Sequence, residues 1–512
     1  LILTYNKKFG DFGLDALAGG SIYYYKDREF GAKTANGLQE PGWYSLANAI
    51  PSTAVGVNSI TNYYGTWKKQ VNSLYGKASL NWKSAAYVDL TAREDWSSTQ
   101  PASERSYFYP SVSTSLILSE FFHLPREVNM WKLRGSWAVD KDMADVYATN
   151  RLFGIGSAWG LTSSSYPNTL LPSDLLPSST RTWEFGTAAY LLNNRLHFDV
   201  AYYSKLYYNR QESVDISEAS GFESTLVNTN ETIARRGLEI TLDGSIIKHR
   251  NFEWHSTLNY SKQHRYYVNL DPVYSSDNLW TKKGARVDAY LIYDWLRDPQ
   301  GNIIHESGFP VESDYQSKIG YGDPDFSFGW INDFQIGRIS IGLNIDGRIG
   351  GIMYDDIWDD MFETGASPET DTKWRYDQVV NGKNNYVGQG VKIISGEVSY
   401  DKYGRITQDS RKYAKNDVEV GYQDYEQSLS GGGNHGYFNE TFVKVRELSI
   451  GYNVPAEKWF GKKSGIKNAS LSLTAQNLFL FTGFKYSDPD NDGEDLNAPS
   501  QRMIGINIRL GF

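Results

Sequence analysis

Ile504-Gly505-Ile506-Asn507-Ile508-Arg509-Leu510-Gly511-Phe512 sets an apolar residue at every second position, puts small or polar residues between them, and closes on an aromatic. Side chains in a pleated strand alternate between its two faces, so this stretch has one apolar face and one polar face. A strand needs that pattern when lipid lies on one side and water on the other. The stretch predicts an outer-membrane strand, against which the rest of the chain is read.

The 512 residues include 15% aromatics, with 37 Tyr and 15 Trp, and 22% charged residues, and mean hydropathy is −0.51. No run approaches the roughly 20 apolar residues of a membrane helix. A chain of this composition crosses a membrane only as a closed sheet with its backbone groups paired, and a polar lumen and wet loops account for the low hydropathy. There is no Cys, which removes disulfides, thiolate metal sites and cysteine nucleophiles. A net charge of −9 speaks against a nucleic-acid binder, which needs a basic face. The start, Leu1 to Tyr5, shows no basic segment or cleavage site, so no signal peptide is visible.

Alternation bounded by turn residues predicts about fifteen strands. Leu74, Ala78, Leu80 and Trp82 oppose Ser73, Lys77, Ser79 and Asn81, and Trp183, Phe185, Ala189 and Leu191 oppose Glu184 and Gly186. Leu196 to Tyr202, Leu238 to Leu242 and Ile339 to Ile345 follow the same rule. Phe442 to Tyr452 does not, because Val443 and Val445 are out of phase with Leu448 and Ile450.

The connections alternate without a break. Short ones fall at Gly10-Asp11, Lys83 to Ala85, Phe121 to Met130, Asn193-Asn194, Ile246 to Asn251, Gly337-Arg338 and Val454 to Lys467; long ones fall at 27–68, 98–106, 142–179, 213–229, 267–323, 352–438 and 482–500. Outer-membrane barrels keep short periplasmic turns and long extracellular loops. The aromatic clusters Tyr23 to Tyr25, Tyr107 to Tyr109, Tyr207-Tyr208 and Tyr266-Tyr267 adjoin long connections and are expected to form an outer girdle. By the same parity the strand Leu1 to Phe9 runs toward the periplasm, so an odd number of strands, about seven, is expected upstream in a barrel of about 22.

Several stretches carry a family resemblance. TAREDWSS at Thr91 to Ser98, YFYPSVSTS at Tyr107 to Ser115 and SEFF at Ser119 to Phe122 come first, followed by KLRGSWAVDKD at Lys132 to Asp142. The strand pair Arg181 to Asn209, GDPDFSFGWINDF at Gly322 to Phe334, FVKVRELSIGYNVP at Phe442 to Pro455 and LSLTAQNLFLFTGFKYSDPD at Leu471 to Asp490 complete the set. In this order they resemble the C-terminal half of the SusC/RagA-like TonB-dependent outer-membrane transporters of the Bacteroidetes. Asp140-Lys141 departs from the Gly-Asn pair usual in that family, and no segment matches its plug or TonB box.

The resemblance implies an all-β antiparallel transmembrane barrel, with 1–512 as its C-terminal part and without the plug. It implies TonB-driven import of a bulky nutrient, an oligosaccharide or a peptide, with a SusD-like surface lipoprotein as lid, TonB acting through the plug, and a dimer of the transporter–lid pair. Phe512 resembles the family's assembly signal. Two rivals are a secreted all-β glycan-binding or glycan-degrading protein, also rich in Trp, Tyr and Gly, and a passive porin.

Catalysis finds little footing. The seven histidines form no HExxH, and no GxSxG or phosphate-loop motif appears. Asp355-Asp356 and Asp359-Asp360 are paired carboxylates whose ordinary reading is a solvated acidic loop. Asp488, Asp490, Asp492 and Gly493 match the first half of a calcium loop, but the twelfth position is Pro499 rather than Glu. No cofactor is expected, and calcium is the one ion a motif suggests. For solute contact the loop tryptophans Trp43, Trp159, Trp280, Trp295, Trp358 and Trp374 offer stacking faces, with packing inside their own loops as the competing role. Arg93, Asp95, Arg134 and Glu239, in the polar phase of their strands, are candidates to line the lumen.

Overall fold

The computed structural model describes all residues except 52–58, 151–152, 159–160, 173 and 492–498. Among the described residues, fifteen strands form one antiparallel sheet in strict chain order, the first and last pairing with one neighbour and each of the others with the strands before and after it. They are β1 Ile2–Phe9, β2 Phe12–Thr34, β3 Ile60–Trp82, β4 Ala86–Ser97, β5 Ser106–Ile117, β6 Val128–Asp142, β7 Ser178–Leu191 and β8 Leu196–Tyr208. Next come β9 Thr232–His249, β10 Phe252–Asn269, β11 Phe326–Ile336, β12 Ile339–Ile349, β13 Phe442–Val454, β14 Asn468–Thr482 and β15 Met503–Gly511. All the short connections expected from the sequence join neighbouring strands at one end of the sheet, and the long ones lie at the other. The tight turns use left-handed residues, Gly10 at φ +55° and Asn193 and Asn194 at +58° and +61°. Glycine adopts that region freely, and asparagine tolerates it better than most residues.

The alternation becomes a surface. Trp131, Ala189, Phe198, Leu242, Leu258, Trp330, Ile345, Val445 and Phe479 are cross-strand neighbours in one row spanning nine strands, all apolar. A second row runs Ile247, Trp254, Phe334, Ile341, Ile450, Leu473 and Ile506. A polar break in this surface, Asn332, is 1% exposed. Trp254 Nε1 and Ser256 Oγ each donate to its Oδ1 at 3.0 Å, and Trp330 Nε1 donates to Ser256 Oγ at 2.9 Å. The indole and the hydroxyl thus satisfy the amide oxygen of Asn332 away from water, while its Nδ2 is buried with no hydrogen-bond partner among the described residues.

The phase break in β13 is a β-bulge. Asn344 pairs Glu447 and Ile345 pairs Val445, so the ladder skips Arg446. One extra residue reverses the facing of every residue beyond it, and it returns Val443 and Val445 to the same side as Leu448 and Ile450. Arg446 becomes the residue the bulge re-aims.

Two expectations need correction. The connection at 27–68 is shorter than expected, because β2 and β3 stay paired from Asp27 with Trp67 up to Thr34 with Ile60, which leaves only 35–59 between them. A hairpin with water on both faces carries no alternation to read. The aromatic clusters do not all face one way either, because the pleat splits them. Phe108 is 50% exposed on the apolar side, whereas its neighbour Tyr107, wholly buried, stacks on Tyr109 with ring centroids 6.3 Å apart on the other.

The long loops build a layer of their own. The strand Ile304–Glu306 of one loop pairs in parallel with Val391–Ser395 of the next, in a four-stranded sheet with Phe309–Pro310 and Lys412–Lys415. The last loop joins them, with Ser487 Oγ donating to Asp355 at 2.7 Å and Tyr486 bonded to Ser367 at 3.1 Å.

Candidate functional site

The face opposite the apolar rows is charged and cross-linked. Arg93 Nε donates to Asp95 at 2.7 Å and its Nη2 to Ser73 Oγ at 3.0 Å, beneath the Tyr75 ring. Arg134 donates to both oxygens of Asp199 at 2.7 and 2.8 Å and to Glu184 at 3.3 Å, which ties β6, β7 and β8 together. It reaches across Gly186, its cross-strand partner, where any Cβ would collide with the guanidinium. Glu239 lies exposed on the same face, opposite Ala201 and Ser261. Ser73 and Glu184 stood out in the sequence only as polar-phase residues of their strands and Asp199 not at all, so none of the three partners was a candidate site residue.

A second cluster forms around the bulge. Lys444, 3% exposed, pairs with Asp488, itself 5% exposed, and with Asp490 at 3.2 Å. Arg446 donates to Asp490 at 2.7 Å and to Asp346 at 2.6 Å. Burial acts to raise the Asp490 carboxyl, but hydrogen bonds from Arg446 and Lys444 outweigh it and hold the group below its ordinary value. Asp488 and Asp490 therefore do not fit the expected calcium site, since two side-chain cations already sit against them and repel a divalent ion. Asp492 lies outside the described residues.

The loop tryptophans divide. Trp295, 6% exposed, lies against Gly432 and Gly433, so its face is not open to solute. Trp358 contacts Phe362, His435 and Phe438 with centroids 4.2, 4.6 and 5.0 Å away, and Trp374 meets Tyr386 at 5.2 Å. Trp295 is corrected from a stacking face to a loop-core residue, and Trp358 and Trp374, half-buried, take the competing role of packing on the rings of their own loops. Trp280 is half-buried beside the turn in which Asn278 accepts from its backbone N–H at 2.9 Å. Trp43, 57% exposed, keeps an open face. Trp159 lies outside the described residues, and Phe512, 76% exposed, comes directly after β15.

One member of each acidic pair is structural, while Asp356 and Asp360 are exposed. Asp355, 2% exposed, caps the helix Asp356–Glu363 by accepting from Trp358 N–H at 3.1 Å. Asp359 accepts from His435 at 2.9 Å, from Ser430 Oγ at 2.6 Å and from Gly431 N–H at 3.1 Å. Burial would raise the Asp359 carboxyl, yet the hydrogen bonds from His435, Ser430 and Tyr354 hold it below its ordinary value. Ser430 reaches the carboxylate rather than the imidazole, so the trio lacks the serine–imidazole contact of a hydrolytic triad.

No protein-family model matches the chain. Two solved structures share its fold from end to end. The RagAB peptide transporter matches at a TM-score of 0.72 with 18% identity, over 100% of this chain and 55% of the other, and the RagAB peptide importer in its closed-closed state matches at 0.74. The chain has the fold of the RagA-like outer-membrane barrels. TonB-dependent receptor P26 of Formosa agariphila is 22% identical over 100% of this chain, and TonB-dependent receptor P39 of the same organism is 25% identical over 99%. The chain spans about half the length of these curated relatives, 52% of each. The barrel wall sits in the outer membrane of a Gram-negative bacterium, its apolar rows toward lipid and its ion-paired face inward. The secreted all-β rival gives way to one continuous fifteen-stranded wall.

Proposed function

We propose that the chain forms the wall and outer loops of a TonB-dependent importer that carries a bulky nutrient, an oligosaccharide or a peptide, across the outer membrane. The observation that carries this reading is the combination of a lipid-facing row across nine strands with an inner face of fixed charges. Interlocked loops cover one end. A polar inner face gives a hydrated solute a path, while loops on a rigid scaffold supply recognition. The matching partners are a SusD-like lipoprotein seated on the loops at 267–323 and 352–438, TonB acting through a plug, and a dimer of the transporter–lid pair. Trp43 is the loop aromatic best suited to stack on solute, and Phe512 the residue suited to an assembly signal. The RagAB likeness supports the lid.

The test is uptake of labelled oligosaccharides and peptides by cells with and without the gene for the full protein, repeated without TonB and with the proton gradient collapsed. Uptake that needs the gene, TonB and the gradient is expected. Uptake that persists without TonB identifies a passive porin and overturns the proposal.

A further inference from the structure

Three cations stand in direct register on the inner face, Lys205 opposite Arg235 and Arg235 opposite Arg265. Like charges directly opposite across a sheet are destabilising, so such a row calls for anions. One end has its anion. Arg265 donates through Nε and Nη2 to the two oxygens of Asp323 at 3.1 and 3.0 Å. The Lys205 ammonium rests over the Tyr203 ring, 5.6 Å from its centroid, and Arg235 makes no hydrogen bond or ion pair with any described residue. Of the nearby carboxylates on this face, Glu184, one row away, is engaged by Arg134 at 3.3 Å, and Glu239, two rows away, forms no ion pair among the described residues.

Beside the row lies a cavity of about 100 Å³, lined among others by Arg235, Ser261, Gln263, Arg265 and Ser327 and by Asp323, whose carboxylate Arg265 already holds. Tyr203 reaches across Gly237, where a Cβ would strike its ring, and donates to Gln263 Oε1 at 2.8 Å. That bond occupies the Gln263 acceptor and leaves its amide N–H groups as donors. The cavity thus gathers two planar guanidinium groups, of which Arg265 is paired with Asp323 and Arg235 is not, an amide donor and two hydroxyls.

We propose that this row is a carboxylate-binding subsite on the solute path, in which Arg235 takes a solute carboxylate between Lys205 and Gln263. It deepens the import reading and rests on it. A carboxylate fits because the guanidinium fork matches its two oxygens, as Arg265 and Asp323 already do on the next strand. The volume admits a carboxylate and the carbons next to it, not a large anion.

The test uses the full-length protein purified in detergent and glutarate as probe, with thermal unfolding followed at constant ionic strength against chloride and against neutral glutaramide. Glutarate should raise the unfolding temperature where the other two do not. Arg235→Gln should weaken the response about tenfold or more, the scale of a lost charge-assisted hydrogen bond. Lys205→Gln should act in the same direction, and Arg236→Gln, whose side chain sits over Tyr266 on the outer face, should respond as wild type. Because removing a like charge relieves repulsion, Arg235→Gln should fold at least as well as wild type. Equal shifts from glutarate and chloride, or an undiminished response in Arg235→Gln, overturn the subsite. Glutarate binding needs no TonB, so TonB-independent uptake with glutarate binding intact overturns the import reading alone.

Discussion

Trp358 touches Phe362, His435 and Phe438 from the first turn of a helix whose cap is Asp355. Replacing it with alanine empties the centre of that ring cluster, and Trp358→Ala is expected to cost about 3 kcal/mol locally, the low end for a large aromatic. Limited proteolysis of the loop 352–438 should show faster cleavage, with the barrel itself intact. Asp359 gives this loop a pH dependence. Its folded carboxyl lies below the ordinary value, so its contribution is complete above about pH 4 and is lost as pH falls through the folded value. Trp358 fluorescence should report loosening of the loop on acidification, and Asp359→Asn should flatten that response. None of this was legible in the sequence. Asp355 and Asp359 read there as a solvated acidic run, because their partners Ser487, His435 and Ser430 lie far along the chain.

At the scale of the element, β13 shows how a broken pattern can carry information. The slip between Val445 and Leu448 is visible in the sequence, and its cause is the bulge that aims Arg446 at Asp346 and Asp490. Lys444 beside it is nearly wholly buried with Asp488. Removing one partner strands a buried charge, so Lys444→Ala is expected to cost about 3–5 kcal/mol. The double change Lys444→Met with Asp488→Leu should recover most of that. Urea unfolding of the reconstituted protein measures both, and equal losses in the single and double variants would show that the charge pair is not the cause. The β2–β3 hairpin teaches the converse. Its upper third pairs residue by residue from Asp27 to Thr34, yet with solvent on both faces nothing in its composition distinguishes it from a loop.

For the whole molecule, the lipid-facing row makes the sharpest demand. Leu242 sits in it and Thr241, one residue earlier, turns inward. Leu242→Arg should cost about 2–4 kcal/mol near the bilayer midplane, while Thr241→Arg should stay within about 0.5 kcal/mol of wild type. Folding titrations into lipid vesicles compare the two, and similar penalties would mean that the inner and outer faces have been assigned wrongly. The order of strands, the parity of their connections and the outer rows were all readable, because each depends on neighbours in sequence and on a period of two. The inner face was readable only in part. Arg93, Asp95, Arg134 and Glu239 stood out by phase, but their partners are fixed by cross-strand register.

By itself the sequence determined the barrel wall, since alternation, turn residues and connection length are local properties and a lipid boundary enforces them along each strand. The tertiary structure alone decided which loop tryptophans are buried, that Asp488 and Asp490 face Lys444 and Arg446, and that Lys205, Arg235 and Arg265 form one row. Those outcomes depend on register and on contacts between residues distant in the chain, where a shift of one position exchanges the inner face for the outer.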